Sequence, residues 1–332
     1  MAKQRILTGV TPSGIPHLGN YIGAILPNII MSQSPNYQSY IFIADYHSLI
    51  KCWDPKLRRE YTLKNAATWL ALGLDPAKAF FYRQSDIPEI LELTWILNSV
   101  ASKGLLNRAH AYKAVVAQNL ESGQKDADKG ITMGLFSYPV LMAADILMFK
   151  PTLIPVGKDQ IQHVEIARDI AIRFNHIYGE TFVLPEAKVD PISKTIPGLD
   201  GRKMSKSYDN TIPIFEESKK LRKCVMKIKT NSQLPDEPKE TADCTLFNLY
   251  QSFATLEEIN IIKARYQTGI GWGEMKQILF EKIDSSLLAP REKYQYYLDN
   301  PKLVEDLLQE GAKRARPEAI MMLQKVKAGI GI

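Results

Sequence analysis

The sequence predicts an α/β protein: a doubly wound parallel sheet with a helical insertion, followed by a second, all-helical domain. Three observations predict it. Short apolar runs alternate with helical patterns over the first two thirds of the 332 residues, the arrangement of strands joined by crossover helices. A mostly helical stretch interrupts this alternation after Pro88. From Glu216 to about Asn300 the helical patterns continue without a convincing strand.

Taken in order, "RILTGV" reads as the first strand and "TPSGIP" as a turn. From His17 onward Leu18, Tyr21, Ile22, Ile25 and Ile29 make a helical stripe. "YIFIAD", Tyr40 to Asp45, is an apolar strand. A helix from about Asp54 places Leu57, Tyr61, Trp69 and Leu70 on one face and stops at Gly73. "AFFY", Ala79 to Tyr82, is the third strand, and the insertion follows at about 88–135. After "GLFSYPVLMAADILMF" comes a fourth strand, Thr152 to Gly157, feeding a helix from Asp159 to Tyr178. The expected organisation is a sheet domain over 1–207, a helical domain over 208–300, and a C-terminal helix in 301–332 that the sequence assigns to neither.

The chain is 45% apolar and 23% charged, as in ordinary globular proteins. Its net charge of +6 is compatible with a nucleic-acid partner and with none. Cys52, Cys224 and Cys244 are far apart and form no CxxC, which argues against a thiolate metal site or a disulfide framework and fits a reducing cytoplasm. No apolar run reaches the roughly 18 residues of a membrane span, and "MAKQRILTGV" lacks a signal-peptide core. The expectation is a soluble cytoplasmic protein without a membrane partner.

Nothing matches GxxxxGK[ST], and no GxGxxG follows the first strand. The glycines of "TGIGWGEM", Thr268 to Met275, read as a loop opening a helix. A nicotinamide dehydrogenase is thereby disfavoured. In "TPSGIPHLGNYIGA", His17 stands at a helix start with Asn20 three residues on, so both side chains share a face. Free helix N–H groups and an imidazole there suit a phosphate, although Gly14 and Pro16 also read as turn punctuation and His17 as a cap. The loop "GRKMSKSYDN" carries Lys203 and Lys206, whose compact ammonium groups suit phosphates or simply water. Asp145 lies in an apolar run and needs a donor, either a ligand or a lysine or amide of the fold. The helix "SKKLRKCVMKIKT" sets Lys219, Lys220, Arg222, Lys223, Lys227 and Lys229 over Leu221, Val225 and Ile228, a face for RNA phosphates or for solvent.

"PHLGN" and "KMSKS" resemble the HIGH and KMSKS signatures of class I aminoacyl-tRNA synthetases. The longer strings "TPSGIPHLGNYIGA", "YPVLMAADIL" and "VGKDQIQHVEIARDIAIRFN" resemble the bacterial tryptophanyl-tRNA synthetases, and the likeness extends to "EGAKRAR" near the C-terminus. It implies a Rossmann-like catalytic domain that forms an aminoacyl-adenylate from ATP, with Mg²⁺ and no tightly bound cofactor or dedicated metal site, and then charges tRNA(Trp).

Residue by residue, the resemblance implies catalytic roles for His17, Asn20, Lys203 and Lys206, Asn20 standing where the motif ends in histidine. ATP would meet Thr11, Pro12, Ser13, Gly19, Asn20, Gly157, Lys158, Asp159 and Ile196, together with the loop from Lys203 through Met204, Ser205 and Lys206 to Ser207. Lys158 departs from the acidic residue common in the family. L-tryptophan would meet Asp145 at its indole N–H, Tyr138 and Gln160 at its amino group, and Gly9, Met142, Ile154 and Val156 around the ring. His47 and His163 would support these, Lys113 could reach the phosphates, and the 88–135 insertion would form a homodimer interface. A tyrosine-specific relative and a catalytically silent RNA-binding paralogue are the rival readings.

Overall fold

The computed structural model describes residues 3–157, 160–188 and 196–332. Five strands, β1 (Gln4–Val10), β2 (Tyr37–Ile43), β3 (Ala79–Arg83), β4 (Leu153–Pro155) and β5 (Glu186–Lys188), form one sheet. All neighbours are parallel, in the order β3-β2-β1-β4-β5. β1 and β2 run in register from Gln4 opposite Tyr37 to Val10 opposite Ile43, whereas β1 meets β4 through Ile6 and Leu153. The winding reverses between β1 and β4, which opens a crevice at their carboxyl ends, the place where such sheets bind ligands.

Tyr40 to Ile43 are all buried, as expected of a central parallel strand covered on both faces. One face packs Ile41, Ile43 and Phe81 against Ile25, Ile29, Trp69 and Leu70. The other packs Tyr40, Phe42 and Tyr82 against the helices Glu89–Val100, Met133–Met148 and Ile161–Tyr178. Local chemistry sets several helix starts. Asp54 accepts the N–H groups of Lys56 and Leu57 ahead of Pro55, Thr132 accepts that of Leu135, and Thr255 and Glu258 form a reciprocal capping box.

The C-terminal helix, Pro301–Ile330, lies on the sheet. Its Val304 and Leu308 join one face and its Ala312, Ala315, Ala319 and Met322 the other, around the β3 edge. At Gly311 the helix and the strand backbone touch: a Cβ there would stand 1.7 Å from the Phe81 carbonyl oxygen. The helices Ser218–Met226, Thr245–Tyr250, Leu256–Thr268 and Trp272–Asp299 build a second cluster around Leu221, Val225, Leu249, Tyr266, Leu279 and Ile283, which Leu18 of the first turn and Met204 join. Gly271 begins the Trp272–Asp299 helix, so the glycines of "TGIGWGEM" open a helix as the sequence suggests.

The sequence boundaries need four corrections. β2 ends at Ile43, and Asp45 begins the short helix Asp45–Ser48. β4 is confined to Leu153–Pro155, because the chain must turn away toward its crossover. The following helix spans Ile161–Tyr178, while Lys158 and Asp159 lie outside the described residues. β5 has no counterpart in the sequence reading, since three residues with a charge at each end give no apolar run or period to detect.

Candidate functional site

The turn after β1 is held from behind by Asn65, whose amide donates to the Gly14 carbonyl at 3.0 Å. Gly14 has φ +130, which calls for glycine, and a Cβ on it would lie 2.7 Å from the Lys206 ammonium and displace it. His17 then caps the helical turn Leu18–Asn20, and the Asn20 side-chain oxygen accepts the His17 N–H at 3.1 Å. His17 is buried, and among the described residues its Nδ1 has no hydrogen-bond partner. Burial first, and the Lys206 charge second, lower its pKa to about 4, so the ring is neutral at pH 7.

The second signature is folded onto this turn. Asn210, itself buried, is the staple of the loop. Its oxygen accepts the Ser205 N–H at 2.8 Å, and its nitrogen donates to Asp200 at 2.7 Å and to the Lys203 carbonyl at 3.1 Å. That donation, with help from Arg202, holds the Asp200 carboxyl down at about 2. Gly198 leaves room for Asn210, because a Cβ would come within 2.5 Å of its side chain. Met204 is buried, and its sulfur accepts the Gly19 N–H. Lys206 is exposed as a whole but carries its ammonium against Gly14, and partial burial lowers its pKa. Lys203 and Ser207 are exposed, and Ser205 Oγ accepts the Ser207 N–H at 3.3 Å.

Beside the clasp, a cleft of about 1910 Å³ opens at the β1–β4 crevice. Asp145, 1% exposed, presents its carboxylate to it. Gln84 Nε2 donates to both carboxylate oxygens at 2.8 and 2.9 Å, and His47 Nε2 meets Oδ2 at 2.9 Å. Burial pushes the Asp145 pKa up, against the pull of His47 and Gln84. Both partners are side chains distant in sequence, in place of the lysine or backbone amide weighed from sequence. Tyr138 and His163 are hydrogen-bonded to each other on the same wall. Gly9 lies under the Phe42 ring, where a Cβ would meet Cζ at 2.4 Å.

The cleft is lined by Gly9, Met142, Ile154, Val156, Tyr138, Gln160, His47, His163 and Asp145, and also by Thr11, Ser13, Gly157 and Ile196. Pro12, His17, Gly19, Asn20 and the loop Lys203 to Ser207 are not part of its wall and form the adjoining clasp on the same first turn. Lys113 is exposed on the His110–Glu121 helix. Gln84, Phe42 and Asn210 are absent from the sequence-based site. Position at the carboxyl end of a strand is a signal that could have found Gln84.

This pairing of a phosphate-suited clasp with an apolar cleft holding one buried acid has a matching family. Residues 1–287 match the class I tRNA synthetases described as "W and Y". The chain belongs to that family. Over the full 332 residues the synthetase is 54% identical to a tryptophan–tRNA ligase of Neisseria meningitidis, covering 99% of that relative. It is also 54% identical to the Pseudomonas aeruginosa enzyme of that name, over 74% of the latter's length. Among solved structures, the Campylobacter jejuni tryptophanyl-tRNA synthetase, crystallised with ADP and tryptophan, superposes with a TM-score of 0.89 at 42% identity, over 99% of this synthetase and 100% of that one.

Proposed function

We propose that the cleft binds L-tryptophan and the adenosine of ATP, and that the clasp acts on the phosphates. The activity is that of an ATP-dependent tryptophan–tRNA ligase. The tryptophan carboxylate attacks the α-phosphorus, pyrophosphate leaves, and the aminoacyl group then passes to the 3′-terminal ribose of tRNA. The attacking group is already ionised, so catalysis reduces to positioning and to stabilising phosphoryl charge. His17, neutral, and Asn20 serve the α-phosphate. Lys203 and Lys206 serve the departing pyrophosphate, and Mg²⁺ arrives on the ATP phosphates.

The observation that carries the tryptophan reading is Asp145: a buried acceptor facing a cleft walled by Met142, Ile154 and Val156. An indole N–H is only a donor and adds to the bonds from Gln84 and His47, whereas phenylalanine offers the carboxylate no donor. Exchange of labelled pyrophosphate into ATP, run with tryptophan, tyrosine and phenylalanine on wild type and Asp145→Asn, tests this. Exchange with tryptophan alone, sharply reduced in the variant, is expected. Exchange with tyrosine overturns the assignment.

The partners follow the same reading. The helical domain over 208–300 recognises the anticodon, and the exposed Lys219, Lys223, Lys227 and Lys229 meet RNA phosphates. A homodimer forms through the insertion, where Leu91 and Trp95, one helical turn apart, are 41% and 74% exposed. No helix among the described residues is long and apolar enough to cross a membrane. The cytoplasm, where tRNA is charged, is the assigned compartment.

A further inference from the structure

The polar chain ending on Asp145 begins on the backbone of Tyr46. Gln84, the residue after β3, is fully buried. Its Oε1 accepts the Tyr46 N–H at 3.1 Å. This contact fixes the orientation of the amide. A backbone N–H can only donate, so the oxygen must face Tyr46 and the nitrogen must face the carboxylate. There Nε2 spans Oδ1 and Oδ2 of Asp145 at 2.8 and 2.9 Å.

The base of this arrangement is itself fixed. Asp45 Oδ1 accepts the N–H groups of Tyr46 and Ser85, at 3.1 and 3.0 Å, and so ties the turn after β2 to the turn after β3. His47, next to Tyr46 on that turn, supplies the other contact to Asp145. Asp145 and His47 line the cleft, whereas Gln84 does not. A donor held across both carboxylate oxygens from outside the cleft sets the plane of the group and leaves acceptor capacity on the cleft side.

We propose that Gln84 is a positioning and specificity-determining residue for tryptophan, acting through Asp145 without touching the substrate. This rests on the reading that Asp145 accepts the indole N–H. Gln84→Met keeps the length and removes the donor. In pyrophosphate exchange, kcat/KM for tryptophan should fall roughly tenfold to a hundredfold, the scale of one hydrogen bond to a charged group. The tryptophan-to-phenylalanine ratio should fall with it, and KM for ATP should stay unchanged.

The deciding measurement repeats the substitution in an Asp145→Asn background. With no carboxylate left to orient, the Gln84→Met effect on the tryptophan-to-phenylalanine ratio should vanish. The same factor in both backgrounds, or a lowered melting temperature with an unchanged ratio, overturns the proposal. If Asp145→Asn leaves the ratio intact, the indole assignment fails and takes the proposal with it. If Asp145→Asn collapses the ratio and Gln84→Met does not, only the proposal fails. Should Gln84→Met not fold, Gln84→Leu, which likewise has no donor, carries the same expectation.

Discussion

The sulfur of Met204 accepts the backbone N–H of Gly19 at 3.2 Å, so the two signature segments, 185 residues apart, close on each other. The contact uses an N–H in the first turn of a helix, which has no partner within the helix. Pro213 adds an antiparallel bridge to His17 beside it. The contact is made by a buried side chain, so the loop is anchored on the first turn from inside the protein.

Gly19→Ala should open this clasp. An added Cβ would stand 3.0 Å from His17 Nδ1 and 3.2 Å from Met204 Cβ, so the imidazole and the loop must both give way. Each must shift by a few tenths of an ångström, and since a misplacement of about 1 Å costs on the order of a hundredfold in rate, a loss of roughly severalfold is expected. Single-turnover adenylate formation should slow by that smaller factor while tryptophan binding, followed by fluorescence quenching, stays near wild type. An unchanged rate would mean that the clasp plays no part in activation.

Lys206→Ala removes the ammonium held against Gly14. If that charge meets departing pyrophosphate, kcat for exchange should drop roughly a hundredfold to a thousandfold, as for loss of one preorganised donor. KM for tryptophan should move little, because the cleft wall does not include this residue. A rise in KM alone would place Lys206 in ground-state binding.

His17 gives stability a pH dependence with a defined sign. Its pKa is about 4 in the folded protein and 6.5 as the reference value. Between these values the unfolded chain takes up a proton that the folded one refuses, so this group lowers stability as pH falls through that window. Urea midpoints at pH 7, 5.5 and 4.5 should fall more steeply for wild type than for His17→Gln. Parallel curves would show that the imidazole is not held neutral.

Gly311→Ala should unseat the C-terminal helix from β3. The new methyl would collide with the backbone of Phe81, which cannot rotate away as a side chain can. Overpacking of this kind costs about 3 kcal/mol. The urea midpoint should shift accordingly, while Gly329→Ala on the same helix, whose nearest atom would be 3.7 Å away, serves as a tolerated control.

Much of the site was legible because it is written locally. The turn from Thr11 to Asn20 follows a strand and opens a helix, and that order of apolar, small and polar residues specifies both the backbone and the placement of His17. The loop around Lys203 and Lys206 is legible for the same reason. Asp145 stands out because an acid inside an apolar helix must have a donor. Its pairing was not legible, since Gln84 is 61 residues away and His47, which the resemblance does place near the site, is 98.

The sequence by itself therefore determined the alternation of strand and helix, the two phosphate-suited segments and the buried acid, because propensity, periodicity and turn chemistry act over a few neighbouring residues. Only the tertiary structure decided that β1 lies between β2 and β4, that three residues at Glu186–Lys188 extend the sheet, and that the C-terminal helix rests on β3. It also decided that Gln84 faces Asp145. These are pairings between distant segments, and they depend on which surfaces meet when the whole core packs.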